Sequence, residues 1–302
     1  MKFQPKPEWI KVRPPGGPTF NRISALLRER NLHTVCEEAR CPNIAECWGG
    51  GTATLMLLGD VCTRGCRFCA VTTGKPVALD PNEPQKAAES VRLMELSYVV
   101  LTSVNRDDLP DGGADAFART IETIHEQCPN VLVEALIPDF GGDVRALTRI
   151  IESKPEVLAH NLETTERLTP TVRDQRATYR QSLNVLNEMK RLCPEQWTKS
   201  SIMLGLGETG QELRQAFSDL RSVGVDFLTI GQYLQPTKKH LNVLTFVPPA
   251  RFKELEQEAL GYGFRYVASG PLVRSSYRAG EFYIHSLIQQ RRAVGVDSSC
   301  LS

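Results

Sequence analysis

From Thr54 onward the chain alternates short apolar runs with longer stretches whose apolar residues recur three and four apart. The runs predict strands at Thr54 to Val61, Tyr98 to Val104, Val131 to Ile137, Val157 to Leu162, Ser200 to Leu206 and Phe227 to Leu234. Helices are predicted between them, at Gln85 to Leu96, Ala114 to Gln127, Val144 to Ser153, Tyr179 to Leu192 and Glu212 to Val223. Strands with few polar residues, each followed by a helix, imply a parallel sheet covered by helices. Six such units suit an open barrel better than a closed eight-unit one, so the expected fold is α/β, a partial (βα)6 TIM-type barrel. Residues 54–235 form that barrel in this reading. Residues 1–53 and 236–302 are N- and C-terminal extensions, set off by Pro14, Pro15 and Pro18 and by Pro236, Pro248 and Pro249.

Composition narrows the function without naming it. The 302 residues carry 36 Lys and Arg against 35 Asp and Glu, a formal charge of +1, so no nucleic-acid surface is expected. No apolar run is long enough for a membrane span, and Met1 to Pro18 lacks the apolar stretch of a signal peptide, which points to the cytoplasm. There are 9 cysteines, six of them crowded between Cys36 and Cys69. In a reducing compartment such crowding reads as metal ligation.

The sharpest pattern is Cys62-Thr-Arg-Gly-Cys66-Arg-Phe-Cys69, a CxxxCxxC directly after the first predicted strand, where barrel loops open onto the functional face. Three thiolates leave one iron of a four-iron cube open to another ligand. The alternative is a structural zinc knuckle, which wants a fourth Cys or His nearby. A second triad, Cys36, Cys41 and Cys47, stands upstream and is again one thiolate short of a cube; its alternative is three packing cysteines. Gly205-Leu-Gly-Glu-Thr-Gly210 fits GxGxxG formally, but it lies in the fifth βα unit with no acidic residue ending the next strand, so it is a weak dinucleotide signal.

The CxxxCxxC with Phe68 before its last Cys resembles the signature of the radical S-adenosylmethionine superfamily. Further stretches resemble, within that superfamily, the sulfur-inserting family that forms the lipoyl cofactor. They are Cys36 to Cys47, Asp60 to Val71, Thr102 to Ala114, Val133 to Gly141, His160 to Thr164, Ser201 to Glu208, Leu228 to Leu234 and Gly270 to Ala279. One departure is Asn242, where the family pattern has Pro; it weakens only a loop assignment.

The resemblance implies a sulfurtransferase with two 4Fe-4S clusters and S-adenosylmethionine. One cluster sits on Cys62, Cys66 and Cys69 and cleaves the cofactor to a 5′-deoxyadenosyl radical. The auxiliary cluster sits on Cys36, Cys41 and Cys47, with a serine of Arg274-Ser275-Ser276-Tyr277, assigned as Ser276, on its fourth iron; it is consumed as the sulfur source. Two sulfurs enter at carbons 6 and 8 of an octanoyl chain on a lysine of a lipoyl carrier domain. Implied partners are the acyltransferase component of 2-oxoacid dehydrogenases, the glycine cleavage H protein, and an electron donor such as ferredoxin or flavodoxin. Rival readings are a radical enzyme with another substrate and a non-enzymatic electron carrier.

Strand-end residues facing the barrel mouth are candidates for the cofactor site, either as contacts or as caps and supports. They are Thr102, Ser103, Asn105, Glu134, Asn161, Glu163, Glu208 and Gln232, with Arg173 to neutralise the cofactor carboxylate. His160 is a further candidate or a buried structural histidine. Cys128 and Cys193, at helix ends, read as packing residues, and Cys300 falls in a polar tail. Phe282, Tyr283, Ile284, Leu287 and Ile288 read as core.

Overall fold

The computed structural model describes residues 6–11, 16–30, 33–34, 37, 43–44, 52–276 and 286–288. Strands β1 (His33–Thr34), β2 (Thr52–Leu57), β3 (Val61–Cys62) and β4 (Thr72–Thr73) come first, after helix α1 (Pro18–Glu29). The repeating units follow: α2 (Glu83–Leu93), β5 (Tyr98–Ser103), α3 (Ala114–Gln127), β6 (Leu132–Leu136), α4 (Val144–Glu152), β7 (Val157–Ala159), α5 (Thr169–Val172), α6 (Tyr179–Leu192), β8 (Trp197–Leu204), α7 (Gly210–Ser222), β9 (Phe227–Gln232), α8 (Pro249–Gly261) and β10 (Tyr266–Gly270).

Strands β2, β5, β6, β7, β8, β9 and β10 pair in parallel in that order, and β1 adds antiparallel to β2. The six predicted units are present, and α8 with β10 carries the same sheet one strand past residue 236. Helix starts are chemically specified. Asp143 and Thr178 accept backbone N–H bonds at the starts of α4 and α6, and Thr209 with Glu212 forms a capping box on α7.

The first predicted strand ends four residues before its expected bound at Val61. It stops at Leu57, because Leu58 and Gly59 take left-handed φ of 68° and 96° and the Glu83 carboxylate accepts the Leu58 N–H. The chain then leaves the barrel and forms the small parallel pair β3–β4, with register Val61 to Thr72 and Cys62 to Thr73. The cysteine motif therefore hangs on a separate ribbon at the barrel mouth.

Period-2 alternation sends every second strand residue inward. Tyr98, Leu132, Val157 and Phe227, edged by Trp197 and Tyr266, close the barrel floor, and Ile288 packs beneath them. Leu287 joins that cluster, whereas Phe282, Tyr283 and Ile284 lie outside the described residues. Above the floor come Val100 and its register partner Glu134. Higher still, Thr102, Leu136, Ser201, Met203 and Gly231 face a cavity of about 540 Å³. The outward faces bury their apolar side chains against the helices in one continuous core. Cys128 is a free buried thiol, as expected of a packing residue, while buried Cys193 is disulfide-bonded rather than free.

Candidate active site

Cys62, Cys66 and Cys69 all line the cavity, together with Phe68. Main-chain amides point at two of the sulfurs: Arg64 N–H and Asn105 N–H donate to Cys62 Sγ at 3.4 and 3.3 Å, and Asp174 N–H donates to Cys66 Sγ at 3.3 Å. Burial pushes the Cys66 thiol up, against the opposing pull of Asp174 N–H and Arg173, and pushes Cys69 up to about 12. Left to water alone, these buried thiols stay protonated near neutral pH. Among the described residues, no three His, Cys, Asp or Glu side chains are placed to hold a single metal ion. Three thiols on one wall of an open cavity fit an iron–sulfur cube with a free iron.

The loop carrying them is held by charges that the sequence reading does not single out. Buried Arg64 bridges Asp107 and Asp139, each at 2.7 Å. Burial alone would lower the Arg64 pKa, but the two carboxylate hydrogen bonds raise it. Burial likewise opposes ionisation of Asp139, and Arg64 outweighs it and holds that carboxyl below its ordinary range. Asp174 accepts the Gly65 N–H at 2.9 Å and is held well down by Arg176, whose guanidinium also donates to the Thr63 carbonyl. On the outer side, a ring nitrogen of His240, Nε2, lies 2.9 Å from the Cys69 carbonyl. Arg64 and Gly65 fall inside the cysteine motif and Asp107 and Asp139 inside two of the family-like stretches, but no local spacing pairs them; the carboxylates come from loops 43, 75 and 109 residues away.

Of the candidate cofactor residues, Thr102, Ser103, Asn105, Asn161, Glu163, Arg173 and Gln232 line the cavity. Ser103 Oγ and Arg173 Nε are buried there with no hydrogen-bond partner among the described residues. Such groups in a cavity wall mark where a polar ligand belongs, and a hydroxyl and a guanidinium suit the polar groups of S-adenosylmethionine. Arg173 is aimed by a relay. Its Nη1 donates to Ser182 Oγ at 2.6 Å, Ser182 Oγ meets His160 Nε2 at 2.9 Å, and His160 Nδ1 meets the Ile137 carbonyl at 2.9 Å. Burial and the nearby Arg173 charge bring His160 down to about 4, so the ring is neutral and acts as a spacer. Glu163 stands at a left-handed φ of 70°, and burial lifts its carboxyl above the ordinary range.

Two candidates are corrected. Glu134 sits one layer below the cavity, where both carboxylate oxygens bind Lys199 Nζ at 2.8 Å and Tyr98 OH donates at 2.7 Å. It shares the inward face with the site residues but not their height. Glu208 turns back on its own loop and accepts the Gly205 and Leu206 N–H groups at 2.6 and 2.9 Å. That carboxylate occupies the amides a phosphate would use, so the GxGxxG-like run is closed to a dinucleotide. Gln232 lines the cavity with its amide committed: Nε2 donates to the Leu204 and Thr245 carbonyls and Oε1 accepts the Val247 N–H.

Ser275 and Ser276 line the same cavity. Their segment is drawn over the mouth because Gly231 leaves room for the Val273 carbonyl, a space that a Cβ would fill, and Arg274 Nη1 donates to the Gln232 carbonyl at 3.1 Å. Asn43 Nδ2, between the upstream cysteines in sequence, donates to the Leu272 carbonyl at 2.5 Å. Cys36, Cys41 and Cys47 themselves, Tyr277 and Cys300 lie outside the described residues.

Residues 56–220 match the family model described as the radical SAM superfamily, and residues 3–41 that of the N-terminal domain of lipoyl synthase of the radical SAM family. The chain is 59% identical to a lipoyl synthase of Myxococcus xanthus (strain DK1622) over 95% of this chain and 96% of that one. It is 57% identical to a lipoyl synthase of Thermus thermophilus, covering 93% and 87%, and 56% identical to a mitochondrial lipoyl synthase of Aedes aegypti, covering 94% and 74%. Among solved structures, Streptococcus suis SuiB bound to S-adenosylmethionine superposes with a TM-score of 0.55 at 9% identity, over 83% of this chain and 54% of that one, a likeness of fold.

Proposed function

The chain belongs to the lipoyl synthase family of radical S-adenosylmethionine, sulfur-inserting enzymes, and from that premise we propose how its own residues divide the work. Cys62, Cys66 and Cys69 would hold a 4Fe-4S cluster, which would supply the one-electron reduction that radical cleavage of S-adenosylmethionine needs. Cys36, Cys41 and Cys47, with Ser276, hold a second 4Fe-4S cluster that supplies sulfur. The substrate is an octanoyl chain on a lysine of a lipoyl carrier domain, thiolated at carbons 6 and 8; such C–H bonds offer no acid–base handle, so a radical route is required. Arg173 neutralises the cofactor carboxylate and is aimed by Ser182 and His160. Ser103 and Asn161 provide further polar contacts, and the 270–276 segment covers the mouth and excludes water.

The observation that carries this reading is one cavity that combines three free thiols, an unpartnered buried guanidinium edge at Arg173 and the hydroxyl of Ser276. A hard alkoxide is a weaker match to iron than a thiolate, which suits a cluster meant to come apart. A ferredoxin or flavodoxin as donor, and a cytoplasmic location without nucleic-acid or membrane contacts, complete the proposal. Among the described residues no helix is long and apolar enough to cross a membrane.

An anaerobic assay on an octanoyl-lysyl peptide, with mass analysis of the product, tests the division of labour. The reconstituted chain is expected to bind about eight irons, four per cube. Ser276→Ala is expected to keep 5′-deoxyadenosine formation while losing most sulfur insertion. Full lipoyl formation by that variant moves the ligand role elsewhere.

A further inference from the structure

We propose that the outer face of the cluster loop is a docking surface for an acidic protein that delivers single electrons, with Arg67, Lys75, Lys238 and Lys239 as its recognition cations. The proposal rests on the reading of Cys62, Cys66 and Cys69 as cluster ligands.

Two segments distant in sequence meet on this face. Leu241 N–H donates to the Arg67 carbonyl at 3.3 Å and His240 Nε2 lies 2.9 Å from the Cys69 carbonyl. The turn from Thr237 to His240, closed by His240 N–H on the Thr237 carbonyl at 3.0 Å, therefore lies against the cluster loop. Gly74 N–H on the Cys62 carbonyl at 2.9 Å brings Lys75 to the same ribbon. Neither Val61 to Leu79 nor Pro236 to Lys253 contains a single Asp or Glu, in a chain whose 35 acids nearly match its 36 Lys and Arg. All four cations are exposed, and none of the four forms an ion pair within the described residues. Elsewhere around the loop the reverse holds, since Arg64 and Arg176 are each neutralised by aspartates.

The electron's route selects the partner. Each cleavage of S-adenosylmethionine consumes one electron, and the donor is oxidised by one. The cavity side of the thiols must hold the cofactor and the acyl chain, so the donor approaches from outside. There the His240 imidazole makes a short path to the cluster: one hydrogen bond to the Cys69 carbonyl, then covalent bonds to Cys69 Sγ. A carrier domain must instead feed its acyl chain into the cavity itself, past Lys6 and Ser275 on its wall. Unpaired cations beside the entry point raise the encounter rate of an acidic partner and are screened by salt.

The test uses the full reconstituted chain and its Lys238→Glu/Lys239→Glu variant, comparing 5′-deoxyadenosine formation driven by dithionite with that driven by a reduced bacterial flavodoxin. The dithionite rate is expected to stay within about twofold, while the flavodoxin-driven rate at low ionic strength falls at least about tenfold and loses most of its salt dependence. Lys238→Ala/Lys239→Ala, with unaltered iron–sulfur absorbance, is expected to fall between the two. An unchanged flavodoxin rate in both variants overturns the proposal, as does an equal fall with dithionite, which would make the turn a support for the cluster. A fall confined to thiolation of an octanoylated carrier under dithionite assigns the surface to the carrier instead. No 5′-deoxyadenosine from the unmodified chain with dithionite overturns the underlying cluster reading rather than the docking surface alone.

Discussion

Two carboxylates face the barrel interior, one buried near the floor and one half-buried at the mouth, and the chain treats them differently. Glu134, near the floor, binds Lys199 through both oxygens and Tyr98 through one, with side chains only 1% and 6% exposed for the acid and its lysine. Glu163, at the mouth, accepts one bond from Asn161 at 3.1 Å and sits in strained backbone, and the nearby Arg173 keeps an unpartnered Nε. The lower group is satisfied by its own protein. The upper groups retain hydrogen-bonding capacity and strain, which a fold tolerates where a ligand will use them.

The largest expected break of this contrast is Glu134→Leu, which leaves Lys199 buried without its counter-charge. A loss of about 3–5 kcal/mol in urea unfolding is expected, with radical formation per folded molecule unchanged. Adding Lys199→Met should return most of that stability. A cost below about 1 kcal/mol for the single variant would place the pair in solvent-like surroundings.

At the mouth the signs reverse. Arg173→Leu is expected to weaken S-adenosylmethionine binding by about 100-fold, the worth of a charge-assisted hydrogen bond set, and Glu163→Gln by roughly tenfold. Neither should lower the unfolding free energy as Glu134→Leu does, and Glu163→Gln removes a carboxyl that burial disfavours. Equilibrium dialysis with labelled cofactor, beside urea unfolding, separates the two kinds of loss.

The smallest effect is a pH dependence from His160. Its pKa is depressed from 6.5 to about 4, so between those values the unfolded chain binds the extra proton. Stability is present above the unfolded value and falls with pH, by about 1 kcal/mol between pH 7 and 5.5. His160→Gln should flatten that slope over the same interval while other carboxylate effects at lower pH remain.

Much of this molecule is local and therefore legible along the chain. Helices at Ala114–Gln127 and Tyr179–Leu192 coincide with their apolar periodicity, and CxxxCxxC needs only short-range spacing to converge three sulfurs. The misplaced elements have a common cause. The first strand is expected to reach Val61, but a turn at Leu58 and Gly59 ends it, since apolarity does not report the backbone handedness of Leu58. Glu134 has the right parity for the site but the wrong height, because alternation specifies a face while the stagger of the sheet specifies the layer.

By itself the sequence determined the βα repeat, the inward faces, the two cysteine triads and hence the chemistry to look for, all of which depend on residues within a few positions of one another. Only the tertiary structure decided which charges surround that chemistry. Arg64 finds Asp139 across 75 positions, Arg173 is aimed by a histidine and a serine on separate elements, and the His240 turn comes to rest on Cys69 across 171. Such pairs exist because the parallel order of the strands brings distant loops to one mouth, and no local pattern encodes which of them will meet.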